Sequence, residues 1–320
     1  MQSEQTIPFL RIGTRGSPLA LVQARHVRSL LAKEHNVGES EIEIVVIKTD
    51  GDRTQSENLS LKDIGGKGLF SREIEAALLA GHVDIGVHSA KDIATKLPRG
   101  LVMEVFLERE DIRDAFICPL ARTLEELAKG AAVGTSSLRR AAQLRHFRPD
   151  LKIVEFRGNV DTRLQKLTDG VADATLLAVA GLNRLGKSDI ATCLLDPETF
   201  PPAPAQGAIG IETRTDDDRT RRLILPLNHR DTNQAICAER AMLATLDGSC
   251  RTPIGVLTLR QGERLQMSAQ VLSPDGAQCF AQHMEGPASD AQKLGRDLGQ
   301  RLISAAGKDF MARLKQSQVL

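Results

Sequence analysis

Asp84-Ile85-Gly86-Val87-His88-Ser89-Ala90-Lys91-Asp92 opens as a short apolar run and ends in three chemically useful side chains. Ile85 to Val87 reads as a buried strand, and a hydroxyl, an ammonium and a carboxylate follow within four residues, on Ser89, Lys91 and Asp92. Ligands of open α/β sheets sit beyond the carboxyl ends of the strands, so this stretch predicts such a sheet with these three side chains facing a substrate. An ordinary strand exit with solvated charges accounts for the stretch alone equally well. The decision comes from matching stretches elsewhere.

Upstream, Phe9 to Gly13 reads as a first strand, and Ser17-Pro18 as a helix start with an N-cap acceptor and a fixed φ at the first helical position. Leu19, Val22, Val27, Leu30 and Leu31 fall on one face of that helix, and Arg15 stands at the strand-to-helix turn beside the free amides. Ile42 to Ile47 is a second strand. The polar stretch Lys48 to Gly66 has no apolar period and reads as a mobile lid, with disorder as the alternative. Gly65 to Phe70 is a glycine-rich turn before a helix containing Ile74, Ala77 and Leu78; it lacks the glycine spacing of a nucleotide phosphate loop. Lys67 would there present a point charge to a ligand, or the turn is simply flexible.

Downstream, the charged run Glu108 to Asp114 reads as a surface crossover into a second domain. There Ala131 to Thr135 is a strand, and Ser136 and Ser137 can cap a helix from Leu138 to Phe147 that carries Arg139 and Arg140 in its first turn. Cations at that end oppose the macrodipole by about 0.3–1 kcal/mol each, which a bound anion would offset. Amides, hydroxyls and guanidiniums together would form a carboxylate or phosphate site. Arg157, Arg163 and Arg184 also lie beside expected strand ends, so the set should converge on one cleft. The proline-rich Phe200 to Gly207 and the apolar Ala208 to Ile211 return the chain to the first domain, and two crossings imply hinged lobes with the ligand between them.

A helix starting at Asp231-Thr232-Asn233-Gln234 should stop near Gly248, leaving Cys250 in a loop beside Arg251, a neighbour that favours the thiolate, although on these residues alone a loop cysteine is more often incidental. Gly255 to Leu259, Leu265 to Leu272 and Ala277 to Met284 read as a small antiparallel sheet, covered by a closing helix from Ser289 to Leu314. The expected domains are residues 1–107 with 208–225, residues 108–207, and an α+β unit over 226–320.

Composition narrows the function. With 320 residues and 41% apolar content the chain has room for two or three cores. A net charge of +1 gives no global field for nucleic acid or an anionic membrane. No stretch has the ~20 apolar residues of a membrane span, and Met1 to Pro8 is too polar for a secretory signal, so the cytoplasm is the expectation. The five cysteines lack zinc or disulfide spacing, and the absence of Trp and Tyr removes the usual base-stacking platform.

The stretches Leu10 to Leu21, Gly65 to Phe70, Val87 to Asp92, Val133 to Arg140, Arg157 to Arg163, Leu177 to Gly186, Gly248-Ser249-Cys250 and Pro253-Ile254-Gly255 together resemble the porphobilinogen deaminases, over essentially the whole length. The resemblance implies two lobes like periplasmic binding proteins plus a third domain with a cofactor-bearing cysteine. It implies that four porphobilinogens are joined head to tail, with loss of ammonia, on a dipyrromethane held by a thioether at Cys250. It assigns catalysis to Asp92 and binding of cofactor, substrate and growing chain to Arg15, Lys67, Ser89, Lys91, Thr135, Ser136, Ser137, Arg139, Arg140, Arg157, Arg163 and Arg184. No metal is called for, and the enzyme is expected to act as a monomer. Ser249 and Ala205 stand where the family pattern usually has glycine. The rival from another class is a non-enzymatic two-lobed anion-binding protein, which explains neither Cys250 nor the third domain.

Overall fold

The computed structural model describes residues 8–49, 71–246 and 252–316. The chain begins with β1 (Leu10–Thr14), α1 (Pro18–His35), β2 (Ile42–Val46), α2 (Arg72–Leu79), β3 (Ile85–Ser89) and β4 (Leu101–Phe106). It crosses to β5 (Asp114–Ile117), β6 (Ala132–Gly134), α3 (Leu138–Phe147), β7 (Lys152–Val154), α4 (Val160–Thr168), β8 (Ala174–Ala178), α5 (Val179–Arg184) and β9 (Cys193–Leu194). It then returns through β10 (Ile209–Arg214) and α6 (Asp218–Ile224). Last come α7 (Arg230–Thr245), β11 (Ile254–Gln261), β12 (Arg264–Leu272), β13 (Cys279–Pro287), α8 (Ala291–Ala306) and α9 (Lys308–Gln316).

Two five-stranded sheets share one plan. The first runs β2-β1-β3-β10-β4, with β1 parallel to β2 and β3, and β10 antiparallel to both β3 and β4. The second runs β7-β6-β8-β5-β9, with β6 parallel to β7 and β8, and β5 antiparallel to β8 and β9. In each sheet the antiparallel strand is the one that has just arrived from the other, so the lobes exchange strands. The fold is α/β with two like lobes, and β11-β12-β13 form a third, antiparallel sheet.

Each sheet has its own core. Leu10, Ile12, Val27, Leu31, Ile85, Val87 and Ile211 pack in the first lobe, and Phe116, Val133, Leu144 and Leu176 in the second. Met242, Val256, Leu265, Leu298 and Leu302 join the third sheet to α7 and α8. Helix α1 starts as expected: Ser17 Oγ accepts from the Ala20 amide at 3.3 Å. Its buried row, however, is Ala20, Gln23, Ala24, Val27 and Leu31, while Leu19, Val22 and Leu30 are half-buried. Small alanines let the helix approach its sheet closely, and the bulkier leucines flank the contact.

Three further expectations are corrected. The run Glu108 to Asp114 does cross from the first sheet to the second, with Glu108 exposed, but it is not solvated throughout: Asp114 is buried, and Arg109 pairs at 2.7 Å with Glu239, whose side chain is fully buried. Helix α7 is capped by His229, which accepts from the Thr232 amide at 3.4 Å, two residues before the expected start at Asp231. The closing helix is two helices, because Gly307 at φ +80° breaks it between α8 and α9. The expected lid from Lys48 to Gly66, apart from Lys48 and Thr49, together with the turn with Lys67 and the loop with Ser249, Cys250 and Arg251, lies outside the described residues.

Candidate functional site

Strand β3 ends at Ser89, and a single 3-10 turn over Ala90–Asp92 then swings the chain out of the sheet. The upstream side of this turn is fixed by Ala90, whose amide donates to Ala208 O of the return crossing at 3.0 Å. Asp92 is left exposed, and it lines a small pocket with Arg15, Ser17, Gln23 and Ser89. Buried Gln23 donates from Nε2 to Ser89 Oγ at 2.9 Å, so the wall of this pocket is held by α1.

Lys91 reaches the return crossing. Its Nζ donates to Gln206 Oε1 at 3.3 Å, and Gln206 Nε2 donates to Asp114 Oδ1 at 2.9 Å and to Ile112 O at 2.8 Å. Asp114, at the start of β5, in turn accepts from Arg139 Nη2 at 2.8 Å and Arg140 Nη2 at 2.6 Å. A continuous polar chain thus crosses from the catalytic-loop candidate in one lobe to the first turn of α3 in the other. Burial pushes the Lys91 ammonium down to about 8; Asp92 and Asp114 pull it up, and Arg140 and Arg139 push it down further. For Asp114 burial works to raise the pKa, but the charges of Arg139 and Arg140 overcome it and hold the carboxyl well below its ordinary range.

Arg163 on α4 belongs to the same neighbourhood. Burial lowers its pKa to about 10, Arg140 lowers it further, and Asp92 opposes them. The Nε atoms of Arg139, Arg140 and Arg163 are all buried without a hydrogen-bond partner. Buried donors without acceptors are uncommon in folded proteins and cost about 1–3 kcal/mol each. The cations Lys91, Arg139, Arg140 and Arg163 face the anions Asp92 and Asp114, which leaves the region positive. Such a donor set fits a polycarboxylate such as a dipyrromethane, so the cofactor expectation and the side chains agree.

The hydroxyl groups at α3 are also ordered. Thr135 Oγ1 accepts from the Ser137 amide at 3.1 Å, Ser136 Oγ from the Phe156 amide at 3.1 Å, and Ser137 Oγ from the Arg140 amide at 3.4 Å. Each oxygen is used as an acceptor, which orients its O–H as a donor. Arg157 donates to Glu155 at 2.6 Å and Arg184 to Gly207 O at 2.7 Å. Burial lowers the pKa of Arg184, opposed by Glu110.

One expectation needs correcting. The two cations at the start of α3 are already balanced in part from within the protein, by Asp114, so a bound anion is not required to offset the helix dipole. What remains for a ligand is the unpartnered Nε donors. Sequence reasoning also missed Gln23, Gln206 and Asp114. The run Ala115-Phe116-Ile117 after Asp114 was the available signal, since it marks Asp114 as the first residue of a buried strand.

Among the described residues no group of three or more His, Cys, Asp or Glu could hold a metal, and no helix is long and apolar enough to cross a membrane.

Comparison with known proteins adds the identity of the family. Residues 10–222 match the family model described as porphobilinogen deaminase, dipyromethane cofactor binding domain, and residues 233–304 match the porphobilinogen deaminase C-terminal domain. A porphobilinogen deaminase of Paracoccus denitrificans (strain Pd 1222) is 53% identical over 301 residues, covering 94% of this chain and 96% of that relative. Among solved structures, the methionine binding protein MetQ is similar at 13% identity and a TM-score of 0.44, covering 72% of this chain and 94% of that one. A periplasmic substrate-binding protein of an ABC transporter from Coxiella burnetii is similar at 15% identity and a TM-score of 0.41, covering 72% and 96%. Two lobes that exchange strands, a cationic region beside an exposed carboxylate, and the match of nearly the whole chain lead to one conclusion: the chain belongs to the porphobilinogen deaminase family.

Proposed function

We propose that Asp92 is the catalytic carboxylate, that Cys250 holds the dipyrromethane through a thioether, and that the cations around Asp92 bind the acetate and propionate arms of cofactor and substrate. The enzyme is a transferase, hydroxymethylbilane synthase, that deaminates and joins four porphobilinogens into a linear tetrapyrrole in porphyrin and haem biosynthesis. When bound, the dipyrromethane supplies the free pyrrole α-carbon to which the first substrate is joined. The single observation that supports the binding site best is the set of buried, unpartnered Nε donors on Arg139, Arg140 and Arg163.

In this reading Asp92 accepts hydrogen bonds from substrate pyrrole N–H groups. It stabilises the positive charge that develops as ammonia leaves, a role that needs a full negative charge at the mouth of the pocket. Lys91, Ser89, Thr135, Ser136, Ser137, Arg139, Arg140 and Arg157 hold the cofactor arms, and Arg15, Lys67, Arg163 and Arg184 the substrate and lengthening chain. Lys91 is suited to a carboxylate partner because burial makes its ammonium poorly solvated. Residues 1–107 with 208–225, residues 108–207 and residues 226–320 form the three domains of this scheme, and the strand exchange through β5 and β10 supports a hinge between the first two. The working form is a monomer in the cytoplasm, with no nucleic acid or membrane partner.

Intact mass of purified protein tests the tether. Wild-type protein should carry the added mass of a dipyrromethane, as should Cys118→Ser and Cys279→Ser, whereas Cys250→Ser should not. An adduct that survives in Cys250→Ser would overturn the assignment.

A further inference from the structure

The turn that presents Asp92 is tied to the sheet on its upstream side alone. Strand β3 pairs with β10 up to Ser89, and Ala90 donates to Ala208 O. Beyond Asp92, residues 93–98 belong to no strand or helix, so their carbonyls have no ladder partner. Three successive carbonyls of this segment turn toward one side chain. Arg240, in the middle of α7, donates from Nη1 to Ile93 O at 3.2 Å and from Nη2 to Ala94 O at 2.7 Å and Thr95 O at 3.4 Å.

This is an uncommon use of a half-buried cation. A guanidinium set mostly out of water normally finds a carboxylate, and here its donors go to backbone instead. Burial lowers the Arg240 pKa, opposed by Cys237 and Glu212. Glu212 is fully buried in β10 and lies 3.1 Å from His88 Nε2, so the balancing charge sits beneath the same strand pair that carries the Asp92 turn. The adjacent Glu239 anchors α7 independently: it pairs with Arg109 at 2.7 Å and accepts from the Ala205 amide at 2.6 Å. Ala205 is a non-glycine residue at φ +62°, beside Gln206. Two consecutive residues of one helix therefore grip the return crossing and the Asp92 loop.

We infer that Arg240 is a positioning residue for the reaction: its guanidinium fixes the downstream side of the Asp92 turn through the carbonyls of Ile93, Ala94 and Thr95, and so sets where the Asp92 carboxylate stands. Arginine suits this role because its planar fork reaches several acceptors in fixed directions, whereas a lysine is a single flexible point. A side chain that acts by position should alter turnover more than binding, since displacement of a reacting group by about 1 Å can cost on the order of 10²-fold. The inference rests on Asp92 being the catalytic carboxylate.

The test compares Arg240→Leu, Arg240→Lys and Asp92→Asn with wild type, each purified as holoenzyme and checked for adduct by intact mass. For Arg240→Leu the expected result is a retained adduct, kcat lowered on the order of 10²-fold, little change in KM, and faster amide exchange confined to residues 92–96. Arg240→Lys should restore part of the rate and part of the protection. If Asp92→Asn is inactive while Arg240→Leu turns over at the wild-type rate, Arg240 has no positioning role. If adduct and protection are lost throughout the molecule in Arg240→Leu and Arg240→Lys alike, Arg240 is a general structural residue and the inference is equally overturned. Full activity of Asp92→Asn would instead sink the assignment of Asp92, which separates the two failures.

Discussion

Asp114→Asn is the most informative perturbation of the second lobe. The substitution keeps the volume and one carbonyl acceptor, but removes the negative charge that faces Arg139 at 2.8 Å and Arg140 at 2.6 Å. All three side chains are buried, that of Asp114 completely. Breaking a buried ionic set by removing one partner costs about 3–5 kcal/mol, because the charge left behind is neither solvated nor paired. An exposed pair such as Lys293 with Asp297, at 3.0 Å and i,i+4 spacing, is worth only about 0.3–0.5 kcal/mol. With a melting point shift of roughly 2–4 °C per kcal/mol for a chain of this order, Asp114→Asn should melt on the order of 10 °C below wild type. Asp297→Asn should differ from wild type by about 1 °C or less. The pH dependence has a definite sign. The Asp114 pKa is depressed in the folded protein, so its contribution is complete above the ordinary carboxylate value of about 3.9 and is lost as pH falls through the folded value. The gap between wild type and Asp114→Asn measured by calorimetry should therefore be constant from pH 5 to 8 and narrow in stronger acid. Coincident melting at pH 7, or a gap that widens in acid, would refute the reasoning.

Two further outcomes follow from the same cluster. Arg140→Leu removes a dipole conflict of about 0.3–1 kcal/mol, but it also strips charge-assisted bonds to Asp114 and a donor from Leu176 O, worth about 1.5–3 kcal/mol. The variant should melt below wild type, and a higher melting point would show that the dipole term governs. In protein without dipyrromethane, Lys91 is lowered to about 8 from its ordinary 10.5. The unfolded chain then binds the extra proton between these values, so Lys91 adds stability as pH rises from about 8 to 10.5. Lys91→Met should lack that increment when its melting curve series is compared with wild type, and identical series would contradict the burial of this ammonium.

The sequence was most legible where local chemistry and burial pointed the same way. Ile85 to Val87, the Ser17-Pro18 start and the Leu138–Phe147 helix all obey short-range rules, and each appears within a residue or so of its expected place. The return of the chain through Ala208 to Ile211 was readable because an apolar run after a proline-rich exit has to be buried somewhere. The failures are long-range. Asp114 sits in a run that looks solvated, and its burial depends on two arginines about 25 residues away. Gln206 and Gln23 are neutral amides with no local signature, and they matter through partners 115 and 66 residues distant. Arg240 was passed over for the same reason, since nothing within its helix announces that its donors go to the backbone after Asp92. Charge compensation of this kind is decided by tertiary contact, which a one-dimensional pattern does not contain.

The central claim is that the charge of Asp92, at the end of β3, drives condensation of porphobilinogen. It is tested most directly by measuring product formation and intact mass on the same preparation of Asp92→Asn. Asn is close to isosteric and the turn is held by Ala90 and Arg240, so fold and adduct should persist. The lost charge should lower kcat by roughly 10²–10⁴-fold with a much smaller effect on KM. An adduct-bearing Asp92→Asn protein that raises KM while keeping kcat would contradict the account and make Asp92 a binding residue.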